Sequence, residues 1–94
     1  MRLENKVTVV TGACSGIGLS TARRFADEGA RVILADIREP ADGGLEFVES
    51  HPHASFLQTD VAHQPSVRGL FEQTWSMYGR LDVLVNNAGV ELAK

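Results

Sequence analysis

Three glycines, Gly12, Gly16 and Gly18, stand close together in the sequence Thr-Gly-Ala-Cys-Ser-Gly-Ile-Gly at positions 11–18. An apolar, β-branched run precedes them and apolar residues at helical spacing follow, which predicts that the glycines lie where a strand turns into a helix. There Gly12 would allow the tight turn, Gly16 would leave the backbone open to a ligand, and Gly18 would let the helix lie close to the sheet. The free N–H groups of the first helical turn can then bind an anion, and the pattern favours a pyrophosphate.

Asp36 follows a second apolar run at 31–35 and lies 18 residues after Gly18. This is about the separation of an acid that accepts hydrogen bonds from a ribose bound at such a glycine loop. Alone, the glycine trio could be purely structural, and an Asp at a strand end could be a solvated turn residue. Together, the loop, the helix, the second strand and its terminal acid favour nucleotide binding.

A third predicted strand at 55–60 also ends in an acid, Asp60, and Val61 follows it. This strand should end at the same edge of the sheet as Gly12 and Asp36. There the carboxylate of Asp60 and the backbone of Val61 could bind the edge of an adenine. The alternative is that Asp60 only starts the helix that follows, ahead of Pro65.

The chain has 94 residues, 44% of them apolar, and a formal net charge of −3. This length allows one small domain with a thin core. Since there is no basic stripe and no acidic tail, we expect no nucleic-acid partner and a ligand bound in a pocket. No apolar run approaches about 18 residues and no basic segment with an apolar run precedes the first strand, so we expect no membrane span, no export and a cytoplasmic protein.

Cys14 is the only cysteine, which excludes an internal disulfide. Its place in the glycine loop could indicate a catalytic thiol, but the need for a small residue there is the favoured interpretation. His51, His53 and His63 could suggest a metal site, yet no carboxylate or thiolate ligand pattern accompanies them. We therefore expect exposed histidines and no metal site.

The apolar patterns predict an α/β fold in which strands at 6–11, 31–35, 55–60 and 81–85 alternate with helices at 17–29, 45–50 and 65–79. The second helix is the least clear, because Gly43 and Gly44 together cost about 2 kcal/mol relative to alanine in a helix interior. We expect it to begin near Leu45 and to pack through Leu45 and Val48. The third helix should begin at Pro65 and be closed by Gly79.

The fourth predicted strand is followed by Asn-Asn-Ala-Gly at positions 86–89. With this segment the chain resembles the N-terminal half of the short-chain dehydrogenases/reductases. That family has Thr-Gly-x-x-x-Gly-x-Gly after the first strand, an acid after the second, Asp-Val after the third and Asn-Asn-Ala-Gly after the fourth, and all four match here in order and spacing. The resemblance implies a partial Rossmann-type, doubly wound parallel sheet with strand order 3-2-1-4 and flanking helices. Residues 1–94 would form the N-terminal part of the dinucleotide-binding domain, without its catalytic part.

The resemblance also implies a role for each matching residue. The residues that would line the cofactor pyrophosphate are Gly12, Ser15, Gly16, Ile17 and Gly18. Asp36 and Ile37 would contact the adenosine ribose and the adenine, and Asp60 and Val61 the amino edge and ring of the adenine. Asn87, Ala88 and Gly89 would lie near the ribose and the central sheet.

The implied cofactor is NAD(H) rather than NADP(H). Asp36 would accept hydrogen bonds from both hydroxyls of an unmodified ribose but repel a 2′-phosphate. No Arg stands at positions 13–15 to attract that phosphate. Arg38, two residues after Asp36, could partly offset the repulsion.

Members of the family transfer hydride between a nicotinamide cofactor and an alcohol or carbonyl substrate. In their Ser and Tyr-x-x-x-Lys set, Tyr supplies or takes the proton, Lys lowers the pKa of Tyr, and Ser holds the carbonyl. In this chain Tyr78 is the only tyrosine, Asp82 stands four residues later, and the lysines are Lys6 and Lys94. We therefore expect no catalytic residue within these 94 residues and no activity from them alone. Two functions remain open: the cofactor-binding part of an NAD-dependent oxidoreductase, and a non-catalytic nucleotide-binding or interaction module.

The fourth strand has a further consequence for association. In the order 3-2-1-4 it lies at the edge of the sheet, so its apolar backbone edge would be unpaired. We expect the isolated chain to be marginally stable or to self-associate through this edge.

Overall fold

Four parallel strands alternate with three helices in the computed structural model, which describes residues 2–14 and 16–87. The strands are β1 (Val7–Thr11), β2 (Arg31–Asp36), β3 (Ala54–Gln58) and β4 (Val83–Val85), and the helices are α1 (Gly16–Asp27), α2 (Asp42–Ser50) and α3 (Gln64–Tyr78). The strands pair in the order β3-β2-β1-β4, which confirms the predicted sheet. Because all the pairings are parallel, the strands end at one common edge.

The core lies on the two faces of β1 and β2, whose residues are almost all buried. α1 and α2 cover one face, where the buried cluster includes Val10, Ala22, Val32, Leu34 and Phe47. α3 covers the other face, where the buried cluster is Val9, Ile33, Ala35 and Leu70. Helices on both faces explain why β2 has a continuous apolar run at 32–35 and why every residue of β1, including Thr8, is buried.

Helix α2 differs from the prediction. It begins at Asp42, three residues before the expected start at Leu45, and Leu45 is 41% exposed while Phe47 is 1% exposed. Val48 packs against the core as expected. Burying a Phe side chain contributes about 1.5–3 kcal/mol, which offsets the helix cost of the two glycines. The prediction that Leu45 starts and anchors this helix was therefore wrong.

Strands β3 and β4 are shorter than predicted. β3 ends at Gln58, so Asp60 lies two residues beyond it, in the connection to α3. β4 begins at Val83. Asp82, just before it, is bonded to Val7 through both its backbone and its side chain: its N–H donates to the Val7 carbonyl at 2.8 Å, and its Oδ2 accepts a hydrogen bond of 2.8 Å from the Val7 N–H. Because a side chain rather than a backbone carbonyl accepts this second bond, the strand starts one residue later. Leu81 packs against the core from outside the strand.

Helix α3 follows the prediction closely. Pro65 lies in its first turn, and Gly79 is its C-cap residue, which has a left-handed φ of 70° and donates its N–H to the carbonyl of Trp75. Leu70 and Thr74 are its buried residues. None of the helices in the described ranges is long and apolar enough to cross a lipid bilayer.

Candidate functional site

The glycine loop between β1 and α1 has the geometry that only glycine adopts easily. Gly12 and Gly16 have left-handed φ angles of 61° and 58°, where a side chain would be strained. Gly18 is buried in α1, and a β-carbon there would overlap the carbonyl oxygen of Gly12. Gly18 therefore brings α1 close to the loop itself, while Gly16 opens the loop toward solvent.

The start of α1 faces the open side of this loop. The helix begins at Gly16, so the N–H groups of its first turn have no acceptor within the helix. Ile17 is exposed beside them. Open space beside the N–H groups of a first helical turn is a feature of anion-binding sites. Ser15, which the sequence also assigned to this loop, lies outside the described residues.

Asp36 lies at the end of β2 and is hydrogen-bonded to the glycine loop. Its Oδ2 accepts a hydrogen bond of 3.1 Å from the backbone N–H of Cys14, and its Oδ1 accepts one of 3.0 Å from the N–H of Arg38. Two main-chain donors thus fix the orientation of the carboxylate. Burial, with a smaller contribution from the charge of Asp36, raises the pKa of the Cys14 thiol to about 11. This protonated thiol supports the interpretation of Cys14 as a small loop residue rather than a nucleophile.

Asp36, Asp60 and Gly12 of the glycine loop line one cavity. Its volume is about 100 Å³, and it is lined by Gly12, Ala35, Asp36, Ile37, Thr59, Asp60 and Val61. Complete small-molecule sites measure about 300–1,000 Å³, so this cavity can hold one end of a larger ligand. The structure therefore brings together the strand ends that the sequence assigned to one edge.

Asp60 also holds the turn before α3. Its Oδ1 accepts a hydrogen bond of 2.9 Å from the N–H of Ala62, and its own N–H donates to Oγ of Ser66 at 2.9 Å. The N-cap position of α3 is His63, so Asp60 is not the capping residue of that helix. Asp60 thus takes part in the turn and still lines the cavity.

The end of β4 is tied to the same loop. The side-chain amide of Asn87 donates a hydrogen bond of 3.3 Å to the carbonyl of Gly12. The hydroxyl of Thr11 lies 3.3 Å from the carbonyl of Val85 and 3.2 Å from Oδ1 of Asn86. These contacts hold the glycine turn against the fourth strand. Ala88 and Gly89, which the sequence assigned to this part of the site, lie outside the described residues.

A wider cleft opens on the other side of the loop, toward the start of α2. Its volume is about 390 Å³, and Cys14, Gly16 and Arg38 are among the residues that line it. Within residues 2–14 and 16–87, no three His, Cys, Asp or Glu side chains are grouped so that they could hold a metal ion. The charged side chains that line the cavity are Asp36 and Asp60, and those that line this cleft are Arg38, Glu39 and Asp42.

Tyr78 lies near the end of the sheet where the strands begin. It is the last residue of α3 and packs against the core cluster on the face that α3 covers. The guanidinium of Arg31, at the start of β2, lies 5.6 Å from the centre of its ring. Since the glycine loop lies where the strands end, Tyr78 is remote from it.

Sequence reasoning missed two residues that shape the site. Ser66 accepts the Asp60 N–H from two residues inside α3, and only its position in the first helical turn could have indicated this. Gly44 is buried in α2, and a β-carbon there would lie 2.9 Å from the carbonyl oxygen of Cys14. The pair Gly43-Gly44 was visible in the sequence, but it was interpreted only as unfavourable to a helix.

Comparisons with known proteins agree with this geometry. The family model of short chain dehydrogenases matches residues 6–94. An uncharacterized oxidoreductase of Thermotoga maritima is 44% identical over 94 residues, which cover 98% of this chain and 37% of that protein. Short-chain dehydrogenase reductase 3c of Arabidopsis thaliana is 39% identical over 90 residues, which cover 96% of this chain and 35% of that protein.

Solved structures have the same fold. The crystal structure of gox2181 matches with a TM-score of 0.81 and 38% identity, covering 90% of this chain and 34% of that one. The ligand-free aldohexose dehydrogenase of Thermoplasma acidophilum matches with a TM-score of 0.76 and 35% identity, covering 90% of this chain and 30% of that one. The chain thus spans about a third of the length of these relatives. Since the family model matches nearly all of its residues, the chain belongs to the short-chain dehydrogenase/reductase family.

Proposed function

We propose that this chain binds an adenine dinucleotide, NAD(H) in preference to NADP(H). It would do so as the cofactor-binding part of an oxidoreductase that transfers hydride between the nicotinamide and an alcohol or carbonyl substrate. The observation that carries the proposal is the cavity between Gly12, Asp36 and Asp60, at the ends of three parallel strands. Parallel α/β sheets bind dinucleotides at this edge. Membership of a family of dehydrogenases adds independent support.

The glycine loop fits a pyrophosphate. Apart from the two neighbouring residues and the backbone of α1 itself, no described atom lies within 4 Å of where a β-carbon of Gly16 would stand. A phosphate can therefore approach the backbone closely. Under the proposal, the first N–H groups of α1 donate to its oxygens, and the positive end of the helix dipole adds to the attraction.

Asp36 fits an unmodified ribose. Each of its carboxylate oxygens accepts one main-chain hydrogen bond, and a carboxylate oxygen has room for a second. Under the proposal the remaining lone pairs accept from the two ribose hydroxyls. A 2′-phosphate would bring further negative charge against this carboxylate. Arg38 lines the neighbouring cleft and would reduce this repulsion, so we propose a preference for NAD(H) rather than an absolute choice.

The adenine would lie between apolar and polar groups of the same cavity. Ile37 and Val61 offer apolar contacts, and Asp60 offers a carboxylate and backbone groups for the amino edge of the ring. Its hydrogen bond to Ala62 fixes one oxygen of that carboxylate. These groups recognise the base without taking part in a reaction.

The bound nicotinamide would supply or accept the hydride. The proton step needs an acid or base beside the substrate, and Tyr78 lies at the other edge of the sheet. We therefore propose that these 94 residues bind the cofactor without turnover. The position of Tyr78 equally favours the second candidate function, a nucleotide-binding or interaction module that performs no chemistry.

Titration of the full chain with NADH and NADPH, followed by nicotinamide fluorescence, tests the proposal. We expect saturable binding, tighter for NADH than for NADPH. Absence of binding by both coenzymes would contradict the proposal. NADH consumption on addition of a series of aldehydes and ketones, above the rate in buffer, would contradict the part of the proposal that excludes turnover.

A further inference from the structure

The first turn of α2 packs directly against the glycine loop, through a position where only glycine fits. Gly44 is buried, and a β-carbon on it would lie 2.9 Å from the carbonyl oxygen of Cys14 and 3.6 Å from Cβ of Pro40. Real β-carbons essentially never come within 3.0 Å of another heavy atom in this way. The obstructing atom belongs to the backbone, so it cannot move aside as a flexible side chain could.

The loop side of this contact is fixed. The N–H of Cys14 donates to Asp36 at 3.1 Å, and the N–H of Ala13 donates to the carbonyl of Ala35 at 3.4 Å. Ala13 is fully buried. Cys14 is therefore held through its N–H by the second strand, while its carbonyl oxygen packs against α2.

The helix side is fixed as well. Phe47, one turn after Gly44, is 1% exposed and belongs to the core. Nη2 of Arg23 on α1 donates a hydrogen bond of 3.0 Å to the carbonyl of Gly43, and its guanidinium lies 5.7 Å from the ring centre of Phe47. Neither element can yield without loss of these contacts, so an added methyl group would displace the loop, the helix or both.

We infer that Gly44 is a positioning residue for the cofactor loop: the missing side chain at 44 sets the position of the Cys14 carbonyl, and thereby of the neighbouring loop amides and of the Cys14 N–H that donates to Asp36. The inference rests on the proposed function, since the consequence of a displaced loop is weaker dinucleotide binding. Gly44 also lines the wider cleft beside the loop, and the role inferred here is to act on the loop through Cys14. From the sequence alone, Gly44 is only a residue that disfavours a helix. In the structure its lack of a side chain allows the contact with the glycine loop.

The test compares Gly44→Ala with two matched glycine-to-alanine variants in the full chain. A β-carbon at Gly43, in the same helix, would meet the flexible end of Arg23 at 3.2 Å, and one at Gly69 in α3 would meet nothing within 4 Å. All three variants replace a helical glycine with alanine, which has the higher helix propensity. We expect the Kd for NADH to rise about tenfold or more in Gly44→Ala, because small displacements of binding groups are costly, and to stay within about twofold in Gly69→Ala. Gly43 lines the wider cleft beside the loop, so Gly43→Ala serves as the control for changes within α2.

A second measurement separates a displaced loop from a merely weakened helix. Hydrogen exchange of the Cys14 amide, followed by NMR, should be slow in the wild type and in Gly43→Ala because this amide donates to Asp36. It should accelerate in Gly44→Ala more than the amides of α2 do. Equal acceleration throughout α2, with the Cys14 amide unchanged, would overturn the inference.

If Gly44→Ala does not fold, the double variant Cys14→Gly/Gly44→Ala decides the question. Glycine at 14 gives the loop backbone the freedom to move away from the methyl group. Recovery of a folded chain that binds NADH supports the inference, whereas a double variant that stays unfolded overturns it. A wild type that binds neither NADH nor NADPH overturns the proposed function together with this inference. A wild type that binds, with Gly44→Ala binding equally well, overturns the inference alone.

Discussion

The carboxylate of Asp36 and the backbone N–H of Cys14 are joined by a hydrogen bond of 3.1 Å across 22 residues of sequence. The acid expected to bind the ribose is thus the same group that holds the loop expected to bind the phosphates. Because one side chain serves both parts, a change at Asp36 should alter the shape of the loop as well as the choice of coenzyme.

Replacing Asp36 with Asn should weaken NADH binding about 10- to 100-fold, since hydrogen bonds to a charged group contribute about 1.5–3 kcal/mol. The amide nitrogen cannot accept from Cys14 or Arg38, and the loss of negative charge removes the repulsion of a 2′-phosphate. The ratio of NADPH to NADH affinity should therefore rise. Fluorescence titration with both coenzymes measures it, and Asp27→Asn on the exposed side of α1 is the control with the same charge change. An unchanged affinity ratio would refute this role of Asp36.

The Cys14 thiol should react slowly with iodoacetamide at neutral pH. Its pKa is raised to about 11 by burial and by the charge of Asp36, so the thiolate fraction at pH 7 is about one in ten thousand. The alkylation rate should rise about tenfold per pH unit toward pH 11. In Asp36→Asn the thiol pKa should be lower and alkylation at pH 8 faster. A rate that levels off near pH 9, as for the urea-unfolded chain, would contradict the predicted environment.

Asp82 should make the folding stability of the chain decrease at low pH. Its hydrogen bonds with the Arg80 side chain and with the Val7 N–H lower its pKa, so the stability it contributes is fully present above the unfolded value of about 3.9 and is lost as the pH falls through the lower folded value. The melting temperature of Asp82→Asn should be below that of the wild type at pH 7, and the difference should shrink below about pH 4. NADH affinity should not change, because Asp82 lies at the start of β4. A difference in melting temperature that is constant from pH 7 to pH 3 would contradict this account.

Gly18→Ala should destabilise the chain by about 1–3 kcal/mol, as overpacking of a filled site does. The added carbon would overlap the carbonyl of Gly12. Gly69→Ala, where the space is open, should be neutral or stabilising by up to about 1 kcal/mol. Urea unfolding of both variants measures the difference. Equal midpoints would mean that α1 can move away from the loop at little cost.

The chain should self-associate through β4, the last strand of the sheet in the described residues. Leu84 is 46% exposed on this strand, and Trp75 on the neighbouring helix α3 is 59% exposed. Edge strands with apolar residues pair readily with other chains. Sedimentation velocity should show mass increasing with concentration, and Leu84→Lys should shift the chain toward monomer. A wild-type monomer with a sharp cooperative melt would contradict the prediction.

The strand order was implied by the family resemblance. The meeting of Gly12, Asp36 and Asp60 could be predicted from local patterns combined with a general rule for parallel sheets. Turn glycines, apolar runs and terminal acids are each visible within a few residues. The rule then converts positions along the chain into positions at one edge. No knowledge of side-chain packing was needed for this part.

What could not be predicted depends on contacts between distant residues. The start of α2 follows from the burial of Phe47, which overrides the unfavourable helix propensity of Gly43 and Gly44. The bond from Cys14 to Asp36 depends on a side-chain orientation that no sequence pattern specifies. The late start of β4 depends on the carboxylate of Asp82 meeting the backbone of β1.

The hydrogen bond from Asn87 to the Gly12 carbonyl joins residues 75 positions apart in the chain. Such distant partners meet late in folding, because closing the intervening segment costs entropy before the contact can repay it. The loop after β1 lies early in the sequence, yet its carbonyl at Gly12 accepts a hydrogen bond from Asn87, one of the last described residues. Coenzyme capture by a refolding chain should therefore lag behind helix formation and report the completion of the sheet.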